Sequence, residues 1–128
     1  MRSVTARARH VFSGLSAVQV YDAWTQPDLV RQWMSVQLQA KDPSVAVRRV
    51  EIDPVVGGRF LFSDSREGSE AWGLYKALER PERIVFSWFV SPEEEDEDSS
   101  TVTLEIAPDG AGCVVEASHE MSDEWADY

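Results

Sequence analysis

From Val4 to Phe12 the chain alternates small or apolar residues with polar or basic ones, the period-two signature of a strand with one wetted face. The period then changes. Ser16 offers a helix N-cap, and Val20, Trp24, Val30 and Trp33 recur at helical spacing on either side of a break at Pro27, which predicts two short consecutive helices. Proline at a first helical turn followed by Asp28 suits the start of the second. Strand patterns return at Val47–Asp53 and Arg59–Ser63, joined by the turn residues Pro54-Val55-Val56-Gly57-Gly58, which is a hairpin signal. Ala71–Leu78 reads as the next strand after a polar turn. Arg83–Val90 carries the strongest β-propensity, and its lack of clean alternation predicts burial on more than one side. Thr101–Ala107 and Cys113–His119 alternate around Pro108-Asp109-Gly110-Ala111-Gly112, a second hairpin signal. Ser122–Tyr128 looks like a helix N-cap and an acidic first turn that go no further.

Composition narrows the function classes. A chain of 128 residues fits a single domain, 1–128, burying roughly two-thirds of its unfolded surface. With 43% hydrophobic residues and five tryptophans it has the means to build a core. A net charge of -11 repels phosphate backbones and anionic headgroups, so nucleic acid is not an expected partner. The lone Cys113 cannot form an intramolecular disulfide, and the N-terminus lacks the apolar stretch of a signal peptide. Nor does any apolar run approach the roughly 20 residues that span a bilayer. The expectation is a cytoplasmic protein with no membrane insertion.

Four stretches resemble the START-like, helix-grip (SRPBCC) superfamily, and within it the family of activator of heat-shock protein 90 ATPase homologue 1-like proteins. They are Val20-Tyr21-Asp22-Ala23-Trp24-Thr25-Gln26-Pro27-Asp28-Leu29 with Trp33; Asp53 through Gly57-Gly58-Arg59-Phe60; Gly73-Leu74-Tyr75 with Pro81-Glu82-Arg83-Ile84-Val85-Phe86-Ser87-Trp88; and Thr101-Val102-Thr103-Leu104 leading to His119. The resemblance implies an α+β helix-grip (Bet v 1-like) fold. A curved antiparallel sheet, with two short helices after its first strand, wraps a long C-terminal helix, and the cavity between them holds an apolar molecule in many relatives. The chain departs from that pattern because 122–128 only begins such a helix. A helix of about 20 residues is about 30 Å long and would cover the sheet's concave face. A longer natural chain or a second copy, as a homodimer, is therefore expected to cover the open side.

The candidate ligand-binding residues are Trp33, Phe60, Phe62, Trp72, Phe86, Trp88 and His119. Ligand cavities are lined by aromatic side chains with a few polar groups, although aromatics on alternating strand positions also build plain core. Phe60 and Phe62 share a face, as do Phe86 and Trp88, so each pair faces the cavity together or not at all. His119, of the same parity as Val115 and Ala117, is either a structural histidine or a group that orients a ligand, as is Arg59. His10 reads as surface, Cys113 as inert and Gly57-Gly58 as a tight turn. The acidic block Glu93–Asp98 is read as a solvated hairpin loop; it lacks the spaced ligands of a calcium loop. No metal cluster, cofactor motif or nucleophile with its base is legible, and no catalytic residue is assigned. The leading expectation is a binding domain for a small apolar ligand. A co-chaperone-like interaction module is the alternative, and a cyclase or hydrolase using the same pocket, with His119 and Tyr75, is a third.

Overall fold

The computed structural model describes residues 3–90, 92–93 and 100–122. Their elements run β1 (Ser3–Phe12), α1 (Ala17–Thr25), α2 (Pro27–Lys41), β2 (Val47–Ile52), β3 (Arg59–Asp64), β4 (Ala71–Glu79), β5 (Arg83–Ser87), β6 (Ser100–Asp109) and β7 (Gly112–Ser122). The strands form one antiparallel sheet in the order β1-β7-β6-β5-β4-β3-β2, so β1 closes back on the last strand and β1 and β2 are its edges. This is the α+β helix-grip architecture, with two helices following the first strand. Among the described residues no helix is long and apolar enough to cross a membrane.

Local chemistry explains where the helices begin. The Ser16 hydroxyl accepts from the Gln19 backbone N–H at 3.1 Å, while the Gln19 side chain accepts from the Ser16 backbone N–H at 2.8 Å, closing a capping box. Pro27 opens α2, with Asp28 in its first turn and Lys41 in its last, each matching the helix dipole. A nine-residue helix such as α1 is marginal alone and is held by its neighbours. Val20 and Tyr21 pack into a core with Ile84, Leu104, Ile106, Cys113 and Val115. Asp22 accepts two hydrogen bonds from the Arg80 guanidinium, at 3.0 and 2.9 Å, which pins α1 to the β4–β5 turn and holds the Asp22 carboxyl below the usual range. The Trp33 indole N–H donates to the Ala23 carbonyl at 2.7 Å and ties α2 to α1.

Burial along the strands shows what α1 covers. Cys113 and Val115 on β7 are buried, whereas Ala117, His119 and Met121 on the same face are only partly so; on β6, Ile106 and Leu104 are buried and Val102 partly. The inner face is thus filled beneath α1 and half open beyond it. Four consecutive β5 residues, Ile84 to Ser87, are buried, in keeping with the unbroken apolar run there.

One expectation shifts. Ser122 is the last residue of β7, paired with Ser3, because strand pairing with β1 continues to the N-terminal end of that edge; it is not a helix N-cap. The rest of the expected C-terminal helix, 123–128, lies outside the described residues, as does most of the acidic block, 94–98.

Candidate functional site

A cavity of about 320 Å³, open on one side, lies on the inner face between the sheet and the α1–α2 pair. Trp24 and Trp33 form its helical wall, their rings 5.2 Å apart. Phe60 and Phe62 on β3, Tyr75 on β4, Ile84, Phe86 and Trp88 on and after β5, Val102 on β6 and His119 on β7 form its floor and rim. The two aromatic pairs, Phe60 with Phe62 and Phe86 with Trp88, face the cavity together: Phe60 lies 5.2 Å from Phe62, 5.5 Å from Phe86 and 6.0 Å from Trp88, ring to ring. Such offset and edge-on contacts stabilise one rigid arrangement of rings beyond their area burial.

Glycine makes room for that arrangement. Gly73 stands opposite Phe60 in the β3–β4 ladder, and a Cβ on it would collide with the Ser87 carbonyl oxygen and lie 2.8 Å from Phe60 Cζ. The Phe60 ring therefore lies across bare backbone, as aromatic rings do over strand glycines. Within β4 the register shifts between Tyr75 and Ala77 against β5, so Tyr75 and Leu78, three residues apart, sit opposite the inward-facing Phe86 and Ile84.

Register also fixes where the polar groups lie. His119, Val102, Phe86 and Tyr75 are direct partners across β7, β6, β5 and β4, one rung of the sheet. Three strand spacings separate its ends, about 14 Å between backbones. At one end the His119 Nε2 and the Ser100 hydroxyl are in close hydrogen-bond contact, Ser100 itself being buried. At the other, Tyr75 is buried, and desolvation, with the neighbouring Tyr21, pushes its ionisation well above that of an ordinary phenol. Both ends present a polar group set into an apolar wall, and among the described residues no Lys, Arg, Asp or Glu side chain lines the cavity.

Six of the seven residues expected from sequence come together here: Trp33, Phe60, Phe62, Phe86, Trp88 and His119. Trp72 does not. It pairs with Leu61 on the outer face, because Ala71, Gly73 and Tyr75 hold the inward parity of β4. Arg59 also points outward, one residue from inward Phe60, and with Glu51, Leu61, Glu70 and Trp72 it lines a separate, more polar groove of about 700 Å³. Trp24, Tyr75, Ile84 and Val102 line the cavity without having been singled out as lining. Parity relative to Phe86 would have found three of them once the register was known, and Trp24 follows from the helix packing. Cys113 is fully buried and its thiol ionisation is raised by desolvation, as expected of an inert position.

Comparison with known proteins bears on the family and the fold. The profile of the family described as Activator of Hsp90 ATPase homolog 1-like protein matches residues 15–127. None of the curated proteins matches. Among solved structures, the Aha1 dimer from Colwellia psychrerythraea superposes with a TM-score of 0.74 at 15% identity, over 97% of this chain and 81% of that one. The AHSA1-like protein from Aeromonas hydrophila gives 0.67 at 20% identity, over 96% and 77%. CalU16 from Micromonospora echinospora gives 0.61 at 22%, over 95% of this chain but 62% of its own length. Sheet, helix pair and family match together assign the chain to the family of Activator of Hsp90 ATPase homolog 1-like proteins.

Proposed function

We propose that the chain acts as one binding domain that holds a small apolar molecule in the inner-face cavity. The observation that carries this reading is the cavity wall: eight aromatic or aliphatic side chains beside Tyr75 and His119, around a space of about 320 Å³. That volume lies at the small end of ligand sites and holds roughly ten water-sized groups. Ordinary core packing leaves no such void, because unfilled apolar space costs stability. Trp33, Phe60, Phe62, Phe86 and Trp88 supply the contact area, and His119, oriented by Ser100, supplies a polar contact at the rim.

Three tryptophans in the wall make the test direct. Titration with small bicyclic and medium-chain apolar compounds quenches or shifts tryptophan emission and raises the melting temperature, and native mass spectrometry finds one equivalent bound. An apolar library that neither stabilises the protein nor perturbs its emission refutes the reading.

A second reading has its own support. The inner face beyond α1 is only partly covered at Ala117, His119 and Met121, with Ala6 and Ala8 exposed alongside, and the Colwellia relative is a dimer. Self-association over this face, or docking of a chaperone as the family's name suggests, would use the same surface. Sedimentation across a hundredfold concentration range tests the first, and stimulation of a chaperone ATPase the second. A lone buried cysteine supports a reducing, cytoplasmic setting, and the charge of -11 a partner other than nucleic acid.

A further inference from the structure

The Tyr75 side chain is 4% exposed and lines the cavity, and its hydroxyl makes no hydrogen bond to any described residue. Its backbone is satisfied, with the N–H donating to the Gly58 carbonyl at 3.0 Å and the carbonyl accepting from the Gly57 N–H at 2.8 Å. The hydroxyl is therefore the one polar group of this residue left over. Buried hydroxyls are almost always paired, since leaving one unmade sacrifices its hydration without return. The ring is held by Phe60 at 5.5 Å and Phe86 at 6.5 Å, so the hydroxyl is not free to swing out to solvent. On the same rung the other polar group, His119, is engaged by Ser100, whereas Tyr75 lies across Phe86 and Val102 from it.

We propose that Tyr75 determines specificity in the cavity by donating a hydrogen bond to an acceptor oxygen of the ligand, which is thus a neutral, otherwise apolar molecule carrying a carbonyl or similar oxygen at the β4 end of the rung. This rests on the cavity reading of function and narrows its ligand class from apolar molecules in general. Neutrality follows from the surroundings: a carboxylate at Tyr75 would be buried against Phe60 and Phe86 with no Lys or Arg among the described lining residues, and with the imidazole of His119 at the far end of the rung, at a cost a single phenol does not offset. The raised ionisation of Tyr75 keeps its proton in place, so it remains a donor through the physiological range.

The test compares 1-tetralone with tetralin, which share a bicyclic skeleton and differ at one carbonyl, on the wild type and on Tyr75→Phe. Dissociation constants are read by NMR titration. Removing the hydroxyl weakens 1-tetralone by roughly three- to tenfold, the range of one buried neutral hydrogen bond, and leaves tetralin unchanged. Gly110→Ala, in the β6–β7 turn with no described atom within 4 Å of the added carbon, leaves the ketone-to-hydrocarbon ratio as it was. If Tyr75→Phe shifts both probes equally or neither, the hydroxyl does not read the ligand and the inference fails while the cavity reading stands. If neither probe nor any wider apolar set binds the wild type, the cavity reading fails and takes the inference with it. A ligand-free arm is independent of both: Tyr75→Phe is at least as stable as wild type in urea, and a tenfold or larger loss in the folding constant would reveal a protein partner for the hydroxyl and overturn the inference.

Discussion

Replacing Gly73 with alanine puts a methyl group where two elements of the cavity already meet. The added carbon would overlap the Ser87 carbonyl oxygen and stand 2.8 Å from Phe60 Cζ. One obstacle is backbone, held beside β4 by the Ser87 hydroxyl, which accepts from the Leu74 N–H at 2.9 Å; the other is the ring at the centre of the aromatic cluster. Neither yields without loss. Overpacking of this kind costs about 1–3 kcal/mol. The smaller unfolded-state entropy of alanine offsets about 0.4–1 kcal/mol at positions where the backbone accepts a side chain. With a backbone atom in the way the upper part of the range applies, leaving a net loss of about 2 kcal/mol, or roughly 6–10 °C in Tm for a chain of this size. Urea denaturation followed by tryptophan emission measures it as a lower midpoint at unchanged m. Gly110→Ala is the control: its φ is 58° and no described atom lies within 4 Å of the added carbon, so it costs only left-handed strain, about 1–2 kcal/mol, without disturbing ligand binding. Gly73→Ala displaces Phe60 and therefore also weakens binding of apolar probes. A Gly73→Ala protein within 0.5 kcal/mol of wild type and with full probe affinity would refute the account of how the aromatic wall is seated.

Two further predictions follow from groups away from the cavity. Arg66 donates to both carboxylate oxygens of Asp64, at 2.9 and 2.6 Å, and holds its pKa down to about 2. Because the folded value is depressed, the stabilisation is present above the unfolded pKa near 4 and is lost as pH falls from about 4 towards 2; with Arg66 60% exposed, screening reduces it to about 1 kcal/mol. The stability gap between wild type and Asp64→Asn therefore narrows over that window, and a gap that stays constant from pH 5 to 2.5 contradicts the pairing. Cys113, fully buried beneath α1, resists iodoacetamide in the native protein and is alkylated in urea; stoichiometric labelling of the folded form would show that the core under α1 opens readily.

Much of the fold was legible because its signals are local. The Ser16 cap, the Pro27 break, the Gly57-Gly58 turn and the alternation of β6 and β7 each depend on residues a few positions apart, and each element formed where its pattern stood. The aromatic pairs were legible for the same reason, since Phe60 with Phe62 and Phe86 with Trp88 share a face whatever the sheet does. Trp72 and Tyr75 were not. Both lie in an apolar stretch without clean alternation, Ala71-Trp72-Gly73-Leu74-Tyr75, and a one-residue difference in parity sends every side chain to the opposite face. Leu74, 41% exposed, shows the cost the chain accepts to keep Gly73 and Tyr75 inward.

By itself, then, the sequence determined the order of strands and helices, the family resemblance and the chemical character of the cavity wall, because periodicity, capping and residue type act over a turn or a hairpin. Tertiary structure alone decided which face each β4 residue presents, that His119 and Tyr75 end one rung with Phe86 and Val102 between them, and that α1 fills one half of the inner face and leaves the other as a cavity. Those outcomes depend on inter-strand register, including the shift between Tyr75 and Ala77, and on where Asp22 and Arg80 anchor a helix to a turn 58 residues away. Contacts at that separation are set by packing of the whole sheet, which no local pattern encodes.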